Sequence, residues 1–472
     1  MKLLYRSLAP IALAASLTAT AQSAGTLPTP VAEVLKRAGV PESSAALVVR
    51  ELGAVRPLVQ HNSARGLNPA STMKLLTTGA ALELLGPAFT YKTDFLVKGT
   101  VAHGVLEGDL FIKAGGDPKL TYERVWAALR QVRERGIREI RGDIVIDRSY
   151  FAPIEHDPAK FDGKSLRAYN VGPDALLLNF KTLMLRFVPD GETVRIVTEP
   201  PLASVEILSR VQLAKNGSCG DWQERLKVDV REDDLLAIIH VEGRYPESCG
   251  ERAWPISVFD HQRYARVLLH TLWSEAGGKL TGVIREGQAP ADARRVLQIE
   301  SPALAELIRD INKYSNNVMA RQVFLSLSAE RDQAPGTAAR SALLIRNWLA
   351  GLEIDAPELV IENGSGLSRV DRISAGSTAA LLDALWRRGT MPELISSLSL
   401  VGQDGTFKKR ETANGLAAHL KSGTLNDVRA TAGFVLDRKG WRWVVVMYIQ
   451  HGNAPAASGA QEVLLNWLSE RP

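Results

Sequence analysis

The chain has 472 residues, of which 45% are hydrophobic and 23% are charged. Its formal net charge of +5 is too small an excess to indicate binding to nucleic acid. This length is enough for about three domains of roughly 150 residues each. We therefore expect a folded protein of several domains that does not bind nucleic acid.

The first 24 residues have the layout of a cleaved secretory signal peptide. Lys2 and Arg6 precede a mostly apolar run from residue 8 to residue 17, and small residues follow as far as Ala24. The run is far shorter than the roughly 20 apolar residues that a membrane-spanning helix needs, and no cysteine lies nearby to carry a lipid. We expect an exported, periplasmic protein with no stable membrane anchor after signal cleavage.

The next notable segment is Ser71-x-x-Lys74, at the start of a predicted helix. Pro69 precedes it, and helix-forming residues continue to Gly86. Residues three apart lie on one face of a helix, so the serine hydroxyl and the lysine amine would be neighbours. This pair is a nucleophile with a candidate base, provided that the lysine pKa is lowered. About one such match is expected by chance, so the spacing alone is weak.

The middle of the chain predicts short strands with two helices. The predicted strands cover 95–99, 108–113 and 142–147, further short strands fall within 184–241, and the helices cover 122–131 and 261–276. A polar loop at 157–173 either faces the site or joins two domains.

The chain has two cysteines, Cys219 and Cys249, which are 30 positions apart. In an exported protein such a pair predicts a disulfide rather than two free thiols. Neither cysteine is near Ser71 in sequence, so we expect the bridge to stabilise a region away from the nucleophile.

Beyond residue 256 the sequence returns to longer helical patterns and ends in strands. One helix is predicted over 303–325, with Ser315-x-Asn317 inside it, and others over 338–352, 378–388 and 461–468. Three strands are predicted at 419–423, 431–436 and 441–449, of which the last two are joined by a hairpin turn at 437–440. The first of these strands carries Lys421-Ser422-Gly423.

Three motifs thus occur in order: Ser71-x-x-Lys74, Ser315-x-Asn317 and Lys421-Ser422-Gly423. Together they resemble the active-site set of the penicillin-binding proteins and serine β-lactamases. The first two serines are 244 positions apart, and a long insertion at this place resembles the class C low-molecular-mass penicillin-binding proteins, the D-alanyl-D-alanine carboxypeptidase/endopeptidase family. Stretches 67–71, 116–118, 363–369 and 402–406 also resemble that family.

The resemblance implies an α+β protein with the penicillin-binding/β-lactamase-like transpeptidase fold, in which helices flank an antiparallel sheet. Two inserted, mainly β domains are expected within it. We expect the catalytic penicillin-binding domain at 25–95 and 296–472. The inserted domain would occupy 96–164 and 245–295, and a nested inserted domain would occupy 165–244.

The activity that the resemblance implies is that of a serine D,D-peptidase inhibited by β-lactams. Ser71 would form an acyl-enzyme with peptidoglycan stem peptides, in D-Ala-D-Ala carboxypeptidase or D,D-endopeptidase reactions. Lys74 would take the serine proton, with its pKa lowered by burial and by a charged Lys421. The expected catalytic residues are Ser71, Lys74, Ser315, Asn317 and Lys421, and the expected substrate-binding residues are Ser422, Gly423 and Thr424.

The sequence departs from the family pattern at two places. Ser422 stands where threonine is usual, which keeps the hydroxyl and removes a methyl group. In some family members a carboxylate of an inserted domain contacts the free amino group of the substrate. Here the polar loop is divergent, and Asp162 is the candidate for that carboxylate.

Two other functions stay open at this point. A serine β-lactamase shares the three motifs, and a non-catalytic peptidoglycan-binding scaffold could share the fold. A metal site is not expected, because the eight histidines are scattered without ligand spacing, and no cofactor is expected. The chain lacks the Gly-x-Ser-x-Gly elbow of an α/β-hydrolase.

Overall fold

The structure is a computed structural model that describes residues 26–232, 236–410 and 417–471; the signal peptide predicted at 1–24 lies outside these ranges. The helices are α1 (Thr29–Arg37), α2 (Met73–Leu84), α3 (Tyr122–Glu134), α4 (His261–Glu275), α5 (Leu304–Lys313), α6 (Asn317–Asp332), α7 (Ala338–Gly351), α8 (Ala375–Trp386), α9 (Met391–Ser397) and α10 (Ala460–Ser469). In the described part of the chain, none of the helices is long and apolar enough to cross a membrane.

The strands form two six-stranded sheets, a seven-stranded sheet and a two-stranded ribbon. They are β1 (Ala45–Glu51), β2 (Val59–His61), β3 (Gly66–Leu67), β4 (Lys92–Ala102), β5 (Val105–Lys113), β6 (Glu139–Ile140), β7 (Ile144–Asp147), β8 (Leu183–Asp190), β9 (Thr193–Glu199), β10 (Val205–Ala214), β11 (Leu226–Glu232), β12 (Ala237–Pro246), β13 (Arg252–Ile256), β14 (Lys279–Leu280), β15 (Ile284–Glu286), β16 (Arg294–Glu300), β17 (Ile373–Ser374), β18 (Ser399–Leu400), β19 (Ala417–Leu425), β20 (Val428–Leu436) and β21 (Arg442–Gln450).

The first sheet has the order β18-β19-β20-β21-β1-β2, and every neighbouring pair in it is antiparallel. Side chains alternate between the two faces of a strand, so a central strand covered on both faces is apolar throughout. Strand β21 shows this: Val444, Val446 and Tyr448 pack in the core that contains α2, α5, α6 and α8, and the residues that alternate with them pack against α1 and α10. The predicted antiparallel sheet with helices on both faces is therefore confirmed.

The other two large sheets lie between β3 and α5 in the chain. One has the order β14-β6-β5-β4-β16, with β7 and β15 paired alongside β5, and the other has the order β11-β12-β10-β9-β8-β13. Helices α3 and α4 pack against each other beside the first of these sheets. The chain enters this region through β4 and leaves it through β16, which pair antiparallel with Lys92 opposite Glu300. Just outside that pair, Ser301 N donates to Tyr91 O at 2.9 Å.

The strand pairing suggests domain borders that differ in detail from those expected from sequence. Strand β4 begins at residue 92 rather than 96, β16 continues to residue 300, and the sheet expected to be nested ends with β13 at residue 256 rather than 244. We propose that the catalytic part of the chain comprises 26–91 and 301–471, and that the nested sheet occupies about 183–256.

The predicted disulfide between Cys219 and Cys249 is present. It joins the segment after β10 to the short turn after β12, and Ser248 Oγ donates to Gly217 O at 2.8 Å beside it. The bridge thus closes the end of the nested sheet.

Candidate active site

Ser71 lies in a short 3₁₀ turn, Ala70–Thr72, that leads directly into α2. Ala70 has a left-handed backbone with φ +46°, and Asn68 Oδ1 accepts a hydrogen bond from its N–H at 2.9 Å. The Lys74 amine lies 3.0 Å from Ser71 Oγ. The two groups are therefore neighbours at the start of a helix, as the spacing predicted. Ser71 itself is only half-buried, which leaves its hydroxyl accessible to a substrate.

The Lys74 amine has two further partners, and neither can donate a proton to it. Asn317 Oδ1 lies at 2.7 Å and the Ser365 main-chain oxygen at 2.6 Å. A hydrogen bond from the Asn317 amide nitrogen to Tyr169 O, at 3.2 Å, holds the Asn317 side chain in this orientation. A neutral amine has two N–H donors and one lone pair. With both donors given to these acceptors, the lone pair is left for the Ser71 hydroxyl proton.

Both active-site lysines are fully buried. Burial lowers the pKa of Lys74 well below its ordinary value, and the positive charges of Lys421 and Arg321 lower it further, whereas Asp371 acts in the opposite direction. Burial also lowers the pKa of Lys421 to about 7. Burial therefore favours the neutral form of both lysines. The sequence predicted a charged Lys421, and with a pKa of about 7 this residue carries its charge mainly below neutral pH.

The second motif lies at a break between two helices, which the sequence did not predict. A single helix was expected over 303–325, but α5 ends at Lys313 and α6 begins at Asn317. Ser315 has a left-handed backbone with φ +58°, which no α-helix can contain. The Asn316 side chain caps α6 by accepting from Met319 N at 3.1 Å. The break leaves Ser315 half-buried at a corner and keeps Asn317 buried on the first turn of α6.

The third motif lies on β19, next to the segment that precedes Ser71. Lys421 Nζ donates to Ser315 Oγ at 3.0 Å and to Ser422 O at 2.9 Å. A side chain at Gly423 would come within 2.7 Å of Pro69 O, so glycine is needed for the close approach of the strand. The structure thus brings all three motifs together, with Lys74 joining the first two and Lys421 the last two.

Sequence reasoning missed the role of the loop 363–369, which it noted only as a point of resemblance. Ser365 supplies the main-chain acceptor for Lys74, and Gly364 O accepts from Thr77 Oγ1 at 2.7 Å. Gly366 has φ +75°, and a Cβ there would lie 1.8 Å from Ala70 O. The two glycines were the available signal, because they indicate a backbone that passes very close to another segment.

The candidate acid of the inserted region lies at the edge of this site. Asp162 accepts hydrogen bonds from Tyr169 Oη at 2.7 Å and from Asn170 Nδ2 at 2.8 Å. Since Tyr169 O binds the Asn317 amide, the polar loop faces the site rather than only joining two domains.

Across the described ranges, the structure has no group of three or more histidine, cysteine or acidic side chains that could hold a metal ion.

A helix that starts with a serine–lysine pair, packed on an antiparallel sheet whose edge region supplies a second lysine, defines a serine peptidase of the penicillin-binding class. The comparison with protein families agrees: the profile described as the D-Ala-D-Ala carboxypeptidase 3 (S13) family matches residues 27–470. The chain belongs to this family of serine-type carboxypeptidases.

Two curated relatives are similar over most of their length. The D-alanyl-D-alanine carboxypeptidase DacB of Haemophilus influenzae is 23% identical over 423 residues, which cover 86% of this chain and 85% of the relative. The D-alanyl-D-alanine carboxypeptidase of Actinomadura sp. (strain R39) is 26% identical over 449 residues, which cover 90% of this chain and 81% of the relative.

Solved structures show the same fold. Penicillin-binding protein 4 (dacB) from Haemophilus influenzae matches with a TM-score of 0.77 at 22% identity, covering 94% of this chain and 100% of the other. The penicillin G-acylated predatory endopeptidase Bd3459 of Bdellovibrio bacteriovorus, in complex with an immunity protein, matches with a TM-score of 0.52 at 14% identity, covering 90% and 91%. The predicted fold is thus confirmed.

Proposed function

We propose that this protein hydrolyses peptidoglycan stem peptides through an acyl-enzyme on Ser71, with Lys74 as the general base. The observation that carries the proposal is the set of three contacts made by the Lys74 amine. Two of its partners, Asn317 Oδ1 and Ser365 O, can only accept, so the remaining position of a neutral amine is directed at Ser71 Oγ. This is the arrangement that nucleophilic catalysis by a hydroxyl requires.

In the acylation step, Ser71 Oγ attacks the carbonyl carbon of the penultimate D-Ala as its proton passes to Lys74. The negative oxygen that develops would be bound by the backbone N–H groups of Ser71 and Thr424. Collapse breaks the bond to the leaving amine, which must gain a proton. We assign Ser315 to relay the proton that Lys74 took from Ser71: its hydroxyl gives a proton to the amine and regains one from the lysine pair, of which Lys421 donates to it. Water then releases the acyl group by the reverse sequence.

The substrate carboxylate is assigned to Lys421 and the Ser422 hydroxyl. Lys421 has a pKa of about 7 because of burial, so a carboxylate bound beside it would favour its charged form. Lys421 would then be charged in the enzyme–substrate complex. Its charge lowers the pKa of Lys74, which must be neutral in that complex to accept the Ser71 proton.

Both D,D-carboxypeptidase and D,D-endopeptidase reactions fit this chemistry, because each breaks an amide bond after a D-Ala residue. Relatives named as carboxypeptidases and a structural neighbour titled an endopeptidase support the two reactions alike. We propose that β-lactams acylate Ser71 as inhibitors, and that the protein acts in the periplasm after removal of residues 1–24.

The test is mass spectrometry of the products formed from purified muropeptides, together with covalent labelling by a fluorescent penicillin. Wild type and the control variant Ser396→Ala, which changes an exposed serine outside the three motifs, should release D-Ala or cleave cross-links and should be labelled. Ser71→Ala should do neither. Rapid nitrocefin turnover without stable labelling would instead identify a β-lactamase, and unchanged activity in Ser71→Ala would exclude the proposed nucleophile.

A further inference from the structure

We propose that Thr406 is a further substrate-binding residue, whose hydroxyl pairs with that of Ser422 to hold the terminal carboxylate of the substrate. This inference rests on the proposed function and adds one residue to the same site. Its starting point is a direct contact between the two side chains: Ser422 Oγ donates to Thr406 Oγ1 at 2.7 Å. Thr406 is exposed and Ser422 is half-buried, so a substrate can reach the pair from solvent.

The loop that carries Thr406 is held in place by an ion pair with the segment of the second motif. Lys313 Nζ lies 2.5 Å from Asp404 Oδ2 and also donates to Leu398 O at 2.9 Å. Asp404 Oδ1 accepts from Leu400 N at 2.8 Å. Lys313 is buried and lies two residues before Ser315, and Asp404 lies two residues before Thr406. The same ion pair therefore positions both the Ser315 hydroxyl and the Thr406 hydroxyl.

The backbone around Thr406 fits tightly against that segment. Gly405 has φ +59°, and a Cβ there would lie 2.6 Å from Lys313 O and 2.2 Å from Ser399 Oγ. Ser399 Oγ also accepts from Thr406 N at 3.3 Å. These contacts fix the main chain of Thr406, while its hydroxyl points to Ser422 rather than into the loop.

The donor count explains what the pair can bind. Each hydroxyl has one proton to donate and two lone pairs. In the structure the Ser422 proton is used on Thr406, and across the described residues the Thr406 hydroxyl has no acceptor of its own. Two adjacent hydroxyls, beside the Lys421 amine, can all turn their protons toward one carboxylate, which offers about four acceptor positions. The threonine hydroxyl would add one hydrogen bond to a charged group.

The same arrangement should discriminate against a substrate whose terminus is a carboxamide. A carboxamide has one acceptor oxygen and an NH₂ group that faces donors, so it cannot accept from both hydroxyls and the amine together. Thr406 should therefore contribute to binding only when the substrate ends in a carboxylate. This selectivity separates a contact with substrate from a general role in holding the loop.

The experiment compares Thr406→Val, which removes the hydroxyl at nearly constant shape, with the control Thr406→Ser, which keeps it. The substrates are an N-acylated D-Ala-D-Ala peptide and its carboxamide. For the carboxylate peptide we expect Thr406→Val to lower kcat/KM by roughly 10- to 150-fold, the range for one hydrogen bond to a charged group. Thr406→Ser should be near wild type. The carboxamide should show less than about a twofold change with either variant, because it lacks that bond.

Binding provides a second measurement that does not depend on turnover. In a Ser71→Ala background, calorimetric titration should show the same selective loss of affinity for the carboxylate peptide when Thr406→Val is added. Equal losses for both peptides, or no loss for the carboxylate peptide, would overturn the inference. If the wild-type chain neither hydrolyses nor binds either peptide, the proposed function itself has failed, which is distinct from an active wild type with an unaffected Thr406→Val variant.

Discussion

The Lys74 amine and the Asn317 amide oxygen lie 2.7 Å apart although 243 residues separate them in sequence. Two complete β-sheets intervene in the chain between these residues. The contact therefore joins the segments before and after the inserted region, and it does so at the group proposed as the catalytic base. It uses one of the two N–H donors of a neutral lysine and so helps to direct the lone pair at Ser71.

Asn317→Asp should move the pH dependence of acylation to higher pH. A carboxylate 2.7 Å from the Lys74 amine would favour the charged lysine and raise its pKa. Each unit of that rise would lower the rate about tenfold on the acid side of the profile. The measurement is the rate of fluorescent-penicillin acylation against pH. Asn316→Asp is the matched control, because it adds the same charge one residue away and an aspartate can still cap α6. Identical pH profiles for both variants would contradict the proposed effect of residue 317 on the pKa of Lys74.

Lys421→Met should slow acylation and also shift its acid limb. The charge of Lys421 lowers the pKa of Lys74, so its removal should raise that pKa and move the limb to higher pH. Because the pKa of Lys421 is itself about 7, the shift should be most evident below that pH, where the wild-type residue is mostly charged. Lys74→Met should abolish acylation. If Lys421→Met is slower at every pH but its acid limb does not move, Lys421 only binds substrate.

Gly366→Ala should disrupt the site far more than Gly86→Ala does. Both glycines have a left-handed backbone, with φ +75° and φ +89°, and alanine in that conformation costs about 1–2 kcal/mol. A Cβ at Gly86 would enter open space, but at Gly366 it would collide with Ala70 O next to the nucleophile. Thermal unfolding should therefore show a moderate loss for Gly86→Ala with normal acylation. Gly366→Ala should lose acylation as well, and equal behaviour of the two variants would argue against a role for this close approach.

Loss of the Cys219–Cys249 disulfide should lower stability by a few kcal/mol without abolishing acylation. The bridge closes the end of the nested sheet, whereas Ser71 and Lys421 belong to the first sheet and its flanking helices. A double Cys→Ser variant should unfold at a lower temperature but acylate normally while folded. A non-reducing peptide map of the native protein should show one linked peptide, and alkylation of both cysteines before reduction would contradict the bridge.

The sequence predicted most accurately those helices and strands that one local residue pattern is enough to identify. The strands around Lys421 and the helix after Ser71 follow from periodicity and from turn residues. Strand partners are different: β10 pairs in parallel with β12, and β7 with β15, and no local pattern indicates which distant segments meet. The domain borders expected from sequence therefore stay a prediction, and the strand pairing is the basis for the slightly different borders proposed above.

Within the site, side-chain positions could be predicted from the sequence, whereas main-chain contacts could not. Ser71, Lys74 and Asn317 could be found because their side chains are chemically specific. The third acceptor of Lys74 is the Ser365 carbonyl, which every residue possesses, so its position depends on the fold and not on residue type. The break at Ser315 was missed because the apolar spacing continues across it from α5 into α6.

The pairing of β4 with β16 has a consequence for how this protein can vary. Lys92 and Glu300 face each other, and Tyr91 and Ser301 are hydrogen-bonded just outside them, so the two ends of the proposed inserted region lie side by side at one seam. Recombination at this seam could exchange the whole region for a shorter or longer module without pulling the two flanking ends apart. A replacement module would then have to supply again contacts such as the hydrogen bond from Asn317 to Tyr169 O and the one from Arg321 to Val171 O.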